Sequence, residues 1–206
     1  MHRKDPHYTQ AKKNGYRARS VYKLLDIQKK FNIFKRAFYI LDLGSAPGSW
    51  LQISRKFAEE NIKKYQDQYY HRDHFKIMGV DIKNISPIDD IKTLKIDINH
   101  PEFQNEIDNF FQFKKLDLIL SDASINKSGN KFSDQIRQIR LCYRIIEIVK
   151  NNLKYKGVLV LKAFQGQDID NLINSMKNEF KFVKSYKPQA SKKQSNEIYL
   201  IGLMKK

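Results

Sequence analysis

One stretch of the chain, residues 40–50 (ILDLGSAPGSW), most restricts the fold that this sequence can adopt. A short apolar run ends at Asp42, and a turn punctuated by Gly44 and Gly48 opens a segment with a helical pattern. A strand, a tight loop and a helix start form a nucleotide-binding α/β unit, in which glycines let a ligand approach the backbone. The stretch lacks the Gly-Lys-Ser/Thr of a P-loop and the third glycine of the dinucleotide pattern.

The acid at the start of this loop, Asp42, distinguishes between classes of ligand. A carboxylate favours a ligand that carries positive charge over one that carries phosphates. S-adenosylmethionine, with its sulfonium and ammonium groups, is a ligand of that kind. The loop therefore predicts a site for S-adenosylmethionine rather than a nucleotide phosphate site.

Five ionisable residues directly follow apolar runs, where we predict the carboxyl ends of strands: Asp42, Asp81, Asp97, Asp122 and Lys162. Ligands of open α/β sheets bind beyond these ends, so five such residues on one rim indicate a site. We expect Asp81 to accept hydrogen bonds from ribose hydroxyls. Asp97 suits an adenine amino group, or alternatively caps a helix ahead of Pro101. Lys162 either lies paired in a cleft, since a lone buried ammonium is costly, or extends to water.

Strands and helices alternate along the chain, which predicts an α/β fold with a twisted, mostly parallel sheet of about seven strands and helices on both faces. The apolar runs place strands at 38–43, 77–80, 94–96, 116–120, 158–161, 181–186 and 198–204. The periodic segments place helices at 20–31, with Ser20 as cap, and at 49–62, 101–113, 136–152 and 168–180. Residues 63–76 are predicted as a loop or a helix extension, and we expect one domain over residues 1–206.

The charge of the chain indicates its partner. There are 39 Lys and Arg against 22 Asp and Glu, a net charge of +17, which favours a polyanionic partner. Solubility or a lysine-rich coding bias is the alternative explanation of this charge.

A single cysteine, Cys142, excludes an internal disulfide or a multi-cysteine zinc site, and we expect it to pack in a helix. No run is long enough for a membrane span and no signal peptide is visible, so we expect an intracellular protein.

The motifs, taken in order, resemble those of the FtsJ-type (RrmJ-type) ribosomal RNA 2′-O-methyltransferases. They are GYRARSVYKL at 15–24, the loop at 42–50, Gly79-Val80-Asp81, Asp97, Ser121-Asp122, Leu161-Lys162 and the segment 187–199. The resemblance covers nearly the whole chain and is nearest to the mitochondrial large-subunit branch. It implies a single Rossmann-like S-adenosylmethionine-dependent methyltransferase domain that methylates a ribose 2′-hydroxyl, with uridine as the expected target, in large-subunit rRNA.

The resemblance also assigns residues to roles. The catalytic tetrad falls on Lys23, Asp122, Lys162 and Glu197. The cofactor set falls on Asp42, Gly44, Ala46, Pro47, Gly48, Ser49, Trp50, Asp81, Ile82, Asp97, Ile98 and Asp122. We expect Lys162 to act as the base and Asp122 to orient it, while Glu197 holds Lys23 near the 2′-oxygen. No metal is expected. A tRNA ribose methyltransferase and a non-catalytic RNA-binding protein of the same fold are the alternatives.

RNA contacts are expected at the basic segment 1–19 and in the residues Arg17, Arg19, Lys187, Lys192 and Lys193, with Tyr8, Tyr16 or Tyr22 stacking on bases. A frayed terminus is the alternative for the first dozen residues. The expected partner is rRNA or the large ribosomal subunit, and we expect a monomer. A mitochondrion or another organelle is the favoured location, with the cytoplasm or the nucleus as alternatives, since the start of the chain is not a convincing transit peptide. One departure stands out. The family reads Asp-Met-Ala-Pro-Asn after the fourth strand, whereas this chain reads DASIN at 122–126, and we assign Ser124 to the proline's place, which predicts a less rigid loop.

Overall fold

The structure is a computed structural model that describes residues 6–65, 73–126, 128–166, 168–192 and 194–206. Lys193, one of the predicted RNA contacts, lies outside the described residues, as do residues 1–5 and much of the segment 63–76. The elements in chain order are α1 Pro6–Lys13, α2 Val21–Phe31, β1 Tyr39–Leu43, α3 Ser49–Tyr65, β2 Lys76–Asp81, β3 Ile91–Lys95, α4 Phe103–Phe111, β4 Leu116–Ser121, α5 Lys131–Asn152, β5 Leu153–Phe164, α6 Ile169–Glu179, β6 Phe180–Tyr186 and β7 Glu197–Lys205.

The strands form one seven-stranded sheet in the order β3-β2-β1-β4-β5-β7-β6, which confirms the predicted α/β fold. Strands β1 to β5 run parallel, while β7 is antiparallel to both of its neighbours, β5 and β6. The chain order reverses between β1 and β4, and ligands of doubly wound sheets bind at the carboxyl ends beside such a reversal. The predicted loop at 42–50 begins at this point.

Helices cover both faces of the sheet, and each face has its own apolar cluster. Helices α4 to α6 pack over Leu41 and Leu43 of β1, whereas α1 to α3 pack over Ile40. Side chains alternate along a strand, so Asp42 points to the same face as Ile40. By the same alternation Lys162 shares this face with Val160 in β5. The sheet therefore directs these polar side chains toward α1, α2 and α3.

Several element boundaries differ from the predicted ones. Helix α5 begins at Lys131, five residues earlier, because the Asn130 side chain accepts hydrogen bonds from two main-chain N–H groups of the first turn. Strand β3 begins at Ile91 rather than 94, and helix α1 was not predicted. Lys162 does not end its strand: β5 continues to Phe164, because β7 pairs with it from Leu159 to Phe164. The last paired positions are Phe164 and Glu197.

Two further expectations concern Cys142 and the membrane. Burial raises the pKa of the Cys142 thiol to about 12, so this residue is a packed helix side chain and not a nucleophile, as expected. Within the described ranges, no helix combines the length and the apolar composition that crossing a bilayer requires.

Candidate active site

The loop after β1 is held against β2. Main-chain N–H groups of Gly44 and Ser45 donate to the Val80 carbonyl at 2.8 and 3.2 Å. Gly44 has a φ of +75°, and a Cβ there would lie 2.4 Å from the Cα of Ala123. A side chain at this position would therefore be strained and would collide with the main chain after β4. This close approach brings the loop beside Asp122.

The two predicted acids after β2 and β3 hold main-chain N–H groups at this rim. Asp81 accepts from Ala46 through Oδ2 and from Lys83 through Oδ1, at 2.9 Å in both cases. Asp97 accepts from the main-chain and side-chain nitrogens of Asn99. The alternative of Asp97 as a helix cap was wrong, because Glu102 occupies the N-cap position of α4. Both acids are fixed at the mouth of a cavity.

That cavity has a volume of about 600 Å³ and lies beyond the carboxyl ends of β1 to β4. Seven of the predicted cofactor residues line it: Gly44, Ala46, Asp81, Ile82, Asp97, Ile98 and Asp122. The Ile82 side chain is 55% exposed, which leaves an apolar surface facing the opening. Two carboxylates that can accept from hydroxyl or amino donors, beside apolar walls, fit a nucleoside. The residues present therefore fit S-adenosylmethionine.

The other five predicted cofactor residues do not line the cavity: Asp42, Pro47, Gly48, Ser49 and Trp50. Ser49 and Trp50 hold the start of α2 instead. The Trp50 indole donates to the Ser20 carbonyl at 2.9 Å, and the Ser49 and Ser20 hydroxyls lie 2.9 Å apart. Ser20 occupies the N-cap position of α2, as predicted, but its hydroxyl makes no cap hydrogen bond because it pairs with Ser49 instead. These contacts join the start of α3 to the helix that carries Lys23.

Arg17, predicted as an RNA contact, makes three hydrogen bonds within the protein. Its guanidinium donates to the carbonyls of Pro47, Ser86 and Pro87 at 3.1, 2.6 and 2.7 Å. It also packs against Gly48, where a Cβ would lie 2.8 Å from the guanidinium. Because these donors are already used on carbonyls, the geometry favours a structural role over a phosphate contact. Arg17 ties the loop after β1 to the connection between β2 and β3.

Asp42 lies beneath the loop rather than in the cavity wall. It is fully buried, and neither carboxylate oxygen has a hydrogen-bond partner among the described residues. Burial, followed by the charges of Asp122 and Asp81, raises the pKa of Asp42 well above its ordinary value. The structure therefore favours a proton on this carboxyl group.

Four predicted catalytic residues meet as two ion pairs. Lys162 Nζ lies 3.0 Å from Asp122 Oδ1 and donates to the Asp122 carbonyl at 2.7 Å. Lys23 Nζ lies 2.5 Å from Glu197 Oε1. The side chains of both lysines are about 90% buried, at 10% and 11% exposure. Burial by itself would raise the pKa of Glu197, but the contact with Lys23, with smaller contributions from Ser191 and Lys162, lowers it overall.

Tyr199, which the sequence did not single out as a site residue, connects the two pairs. Its hydroxyl donates to Asp122 Oδ1 at 2.6 Å, and its ring centre lies 5.8 Å from Lys23 Nζ. It is also the cross-strand partner of Lys162. Burial, and then the charge and hydrogen bond of Asp122, raise the pKa of Tyr199 well above its ordinary value. A neutral phenol that donates to the carboxylate therefore lies between the two lysines.

Two of the remaining predicted RNA contacts make hydrogen bonds within the protein. Arg19 donates to the Ala190 carbonyl at 2.7 Å, and exposed Lys187 donates to the Ser195 carbonyl at 2.7 Å. Lys192 is exposed. These contacts place the segment between β6 and β7 next to the start of α2.

The tyrosines predicted to stack on bases differ in their surroundings. The ring centres of Tyr16 and Tyr22 lie 6.4 Å apart in an edge-to-face contact, whereas Tyr8 on α1 is 60% exposed. Of the three, Tyr8 therefore offers the most open ring face. Over the ranges that the structure covers, no group of three or more His, Cys, Asp or Glu side chains could hold a metal ion.

The strand order of the sheet, with a cavity at the point where the chain order reverses, is that of the class of Rossmann-like methyltransferases. The sequence profile of the FtsJ-like methyltransferases matches residues 16–205, and the chain belongs to that family. The methyl donor of this family is S-adenosyl-L-methionine.

Individual proteins show the same similarity. The chain is 38% identical over 200 residues to the ribosomal RNA large subunit methyltransferase E of Methanosarcina mazei, covering 97% of this chain and 69% of the relative. It is 38% identical to the protein of the same name from Ehrlichia chaffeensis, covering 98% and 91%. A crystal structure described as a ribosomal RNA methyltransferase from Plasmodium falciparum superposes with a TM-score of 0.76 and 28% identity, covering 92% of this chain and 98% of that one.

The departure in the loop after β4 needs a correction. The family pattern Asp-Met-Ala-Pro-Asn and residues 122–126 correspond one to one, with an acid at the start and an asparagine at the end of both. The proline therefore corresponds to Ile125, and the assignment of Ser124 to that place was wrong. Unlike a proline, Ile125 has a main-chain N–H, which donates to Gln138 Oε1 at 3.1 Å.

Proposed function

We propose that this chain transfers a methyl group from S-adenosylmethionine to the ribose 2′-hydroxyl of a nucleotide in large-subunit ribosomal RNA. The observation that carries this proposal is the position of Lys162, whose ammonium group contacts Asp122 in the wall of the cofactor cavity. A lysine held beside the methyl-donor site can receive the proton that a ribose hydroxyl releases on methylation. The relatives named above, which are rRNA methyltransferases, support rRNA as the substrate.

Bound S-adenosylmethionine supplies a methyl group that is already activated, so the chain must position the acceptor and remove one proton. Asp81 and Asp97 would accept hydrogen bonds from the ribose hydroxyls and the adenine amino group. Ile82 and Ile98 would pack against the adenine ring. These residues would bind and orient the cofactor while the tetrad acts on the RNA ribose.

In this proposal Lys162 is in its neutral amine form when it accepts the proton of the 2′-hydroxyl. Asp122 and the Tyr199 hydroxyl fix the direction of its amino group, because both contact the same carboxylate oxygen. Lys23 directs the 2′-oxygen toward the methyl group, and Glu197 holds Lys23 in place. The hydrogen bonds that Lys162 donates to Asp122 must be exchanged before Lys162 can accept a proton from the 2′-hydroxyl.

RNA would reach the site along the surface formed by α1 and the segment 184–192. Exposed lysines at this surface are Lys12, Lys13, Lys184, Lys187 and Lys192. Lysine contacts to phosphates release counterions and give salt-dependent affinity, and the exposed ring of Tyr8 can stack on a base. The net charge of +17 agrees with a polyanionic substrate of this kind.

An rRNA substrate implies that the protein acts inside the cell. Uridine as the target, mitochondria as the compartment and a monomeric state stay predictions from the sequence. Mapping the rRNA fragment that carries the new 2′-O-methyl group would identify the target nucleotide. Light scattering of the purified protein would give the mass of the protein in solution.

One experiment tests the proposal against its alternatives. The protein is incubated with tritiated S-adenosylmethionine and, separately, large ribosomal subunits, free rRNA and bulk tRNA, each from a strain that lacks the modification. Label in rRNA that is recovered as a 2′-O-methyl nucleoside supports the proposal. Label only in tRNA would establish the tRNA alternative, and binding without label in any RNA would indicate the non-catalytic one.

A further inference from the structure

Gln138 on α5 is buried and joins two segments of the site. Its side-chain amide donates to the carbonyls of Ala123 and Lys162 at 3.2 and 3.3 Å, and its oxygen accepts from the N–H of Ile125. The residue is 1% exposed, so its amide group depends on these protein partners rather than on bulk water for its hydrogen bonds. A single side chain thus satisfies three main-chain groups on two different segments.

The two segments carry the partners of one catalytic ion pair. Ala123 and Ile125 belong to the loop that begins with Asp122, and the second carbonyl is that of Lys162 itself. The Cys142 thiol, one turn further along α5, donates to the same Lys162 carbonyl at 3.4 Å. Helix α5 therefore fixes the main chain behind both Asp122 and Lys162.

The contact with Ile125 gives Gln138 a specific task. The N–H of Ile125 is part-buried, and leaving it without an acceptor costs free energy. A loop that lacks proline at this position also has an additional rotatable φ angle. Gln138 supplies the acceptor and connects the loop to β5 at the same time. No other hydrogen bond to the N–H of Ile125 is present in the described part of the chain.

We propose that Gln138 is a positioning residue for methyl transfer: it sets the placement of the Asp122 loop relative to Lys162. This inference rests on the proposed function, because it assigns Gln138 to the geometry of that reaction. Gln138 does not line the cavity and acts through the main chain of its partners. Its loss should therefore reduce turnover far more than cofactor affinity.

The test compares Gln138→Met, which keeps the side-chain length without hydrogen bonding, with Gln104→Met. Gln104 also makes side-chain hydrogen bonds, which are part-buried and run to Asp108 and Asn152, away from the site. Turnover is measured under conditions where circular dichroism shows each variant folded. We expect Gln138→Met to lower kcat about 10- to 100-fold with a change of under about threefold in KM for S-adenosylmethionine, whereas Gln104→Met keeps kcat within about twofold.

Two further variants separate positioning from general destabilisation. Ile125→Pro removes the N–H that needs an acceptor, so combined with Gln138→Met it should recover about tenfold in kcat. Gln138→Glu keeps an acceptor for Ile125 but turns a carboxylate oxygen toward the carbonyls of Ala123 and Lys162, so it should not restore the wild-type kcat. Unchanged kcat in folded Gln138→Met, or a loss confined to KM, would overturn this inference. Failure of the wild-type protein to label any RNA would instead overturn the proposed function.

Discussion

Lys162 and Tyr199 face each other across β5 and β7, and both contact the same carboxylate oxygen of Asp122. The cross-strand register therefore places an amine and a phenol on one acceptor. The amine is held between a carboxylate and the main chain while the phenol remains protonated. The placement of Lys162 thus depends on the pairing of two strands that are distant in sequence.

Arg17 should affect cofactor binding more than RNA binding. Arg17→Leu removes three hydrogen bonds to main-chain carbonyls of the loop after β1 and the segment after β2. We expect the dissociation constant for S-adenosylmethionine to rise about tenfold, which corresponds to the loss of one charged hydrogen bond. Isothermal titration of the protein with the cofactor measures this change.

Arg55→Leu is the matched control, because Arg55 also reaches the connection between β2 and β3 but pairs there with Asp90. Its cofactor affinity should stay at the wild-type value. If Arg17→Leu instead binds the cofactor normally and loses only affinity for RNA, then Arg17 is a phosphate contact as the sequence first suggested.

Asp42 should make the protein less stable as pH rises. Burial raises the pKa of Asp42 in the folded state, so the unfolded chain releases this proton at a lower pH than the folded protein does. The contribution of Asp42 to the free energy of unfolding therefore falls as pH rises above about 3.9, and stops falling once pH exceeds the pKa of the folded state. Asp42→Asn removes this dependence. The stability difference between the variant and the wild type should therefore grow with pH in urea unfolding of the protein without cofactor.

Asp89→Asn serves as the control for Asp42, since the Asp89 side chain is 93% exposed. Its unfolding free energy should follow the wild-type curve at every pH. A constant difference between Asp42→Asn and the wild type from pH 4 to pH 8 would contradict a raised pKa at Asp42.

The pair of Lys23 and Glu197 should have the opposite pH dependence. The pKa of Glu197 is lowered overall, so its contribution is present above the ordinary value of about 4.3 and is lost as pH falls through the folded value. Lys23→Met leaves a buried carboxylate without its partner and should cost about 2 kcal/mol in unfolding free energy at neutral pH.

The unfolding free energy of Lys23→Met is measured at pH 7 and at pH 3. The loss relative to the wild type should be smaller at pH 3, because the carboxyl group of Glu197 then takes up a proton. Glu197→Gln should flatten the acid side of the stability curve. An equal penalty for Lys23→Met at both values of pH would mean that the ion pair does not contribute to folding.

The sequence contained enough information for the sheet and for the convergence of the tetrad. Acids that end parallel strands must meet at one edge, and this rule placed Asp81, Asp97 and Asp122 correctly at the rim. The rule was wrong in detail for Lys162, which lies inside β5. An antiparallel partner from the end of the chain extends that strand, and local apolar patterns do not reveal such pairing.

Other parts of the site depend on side-chain contacts between distant segments. Gln138 lies in a helix whose period marks it only as a position near the core, and its three partners come from other elements. Ser20 met a standard pattern for a cap, but a second hydroxyl from Ser49 competes for it. Such contacts become visible only when the packing of the helices is known.

The central claim is that Lys162 removes the proton in methyl transfer, and its most direct test is a comparison of two lysines on β5. Lys154 also pairs with an aspartate of the neighbouring strand, Asp117, but at the opposite end of the sheet. Lys162→Ala should lower the single-turnover rate of methyl transfer to rRNA about 10²- to 10⁴-fold with unchanged cofactor affinity, whereas Lys154→Ala should keep the wild-type rate. A rate for Lys162→Ala within a few fold of the wild type would contradict the account.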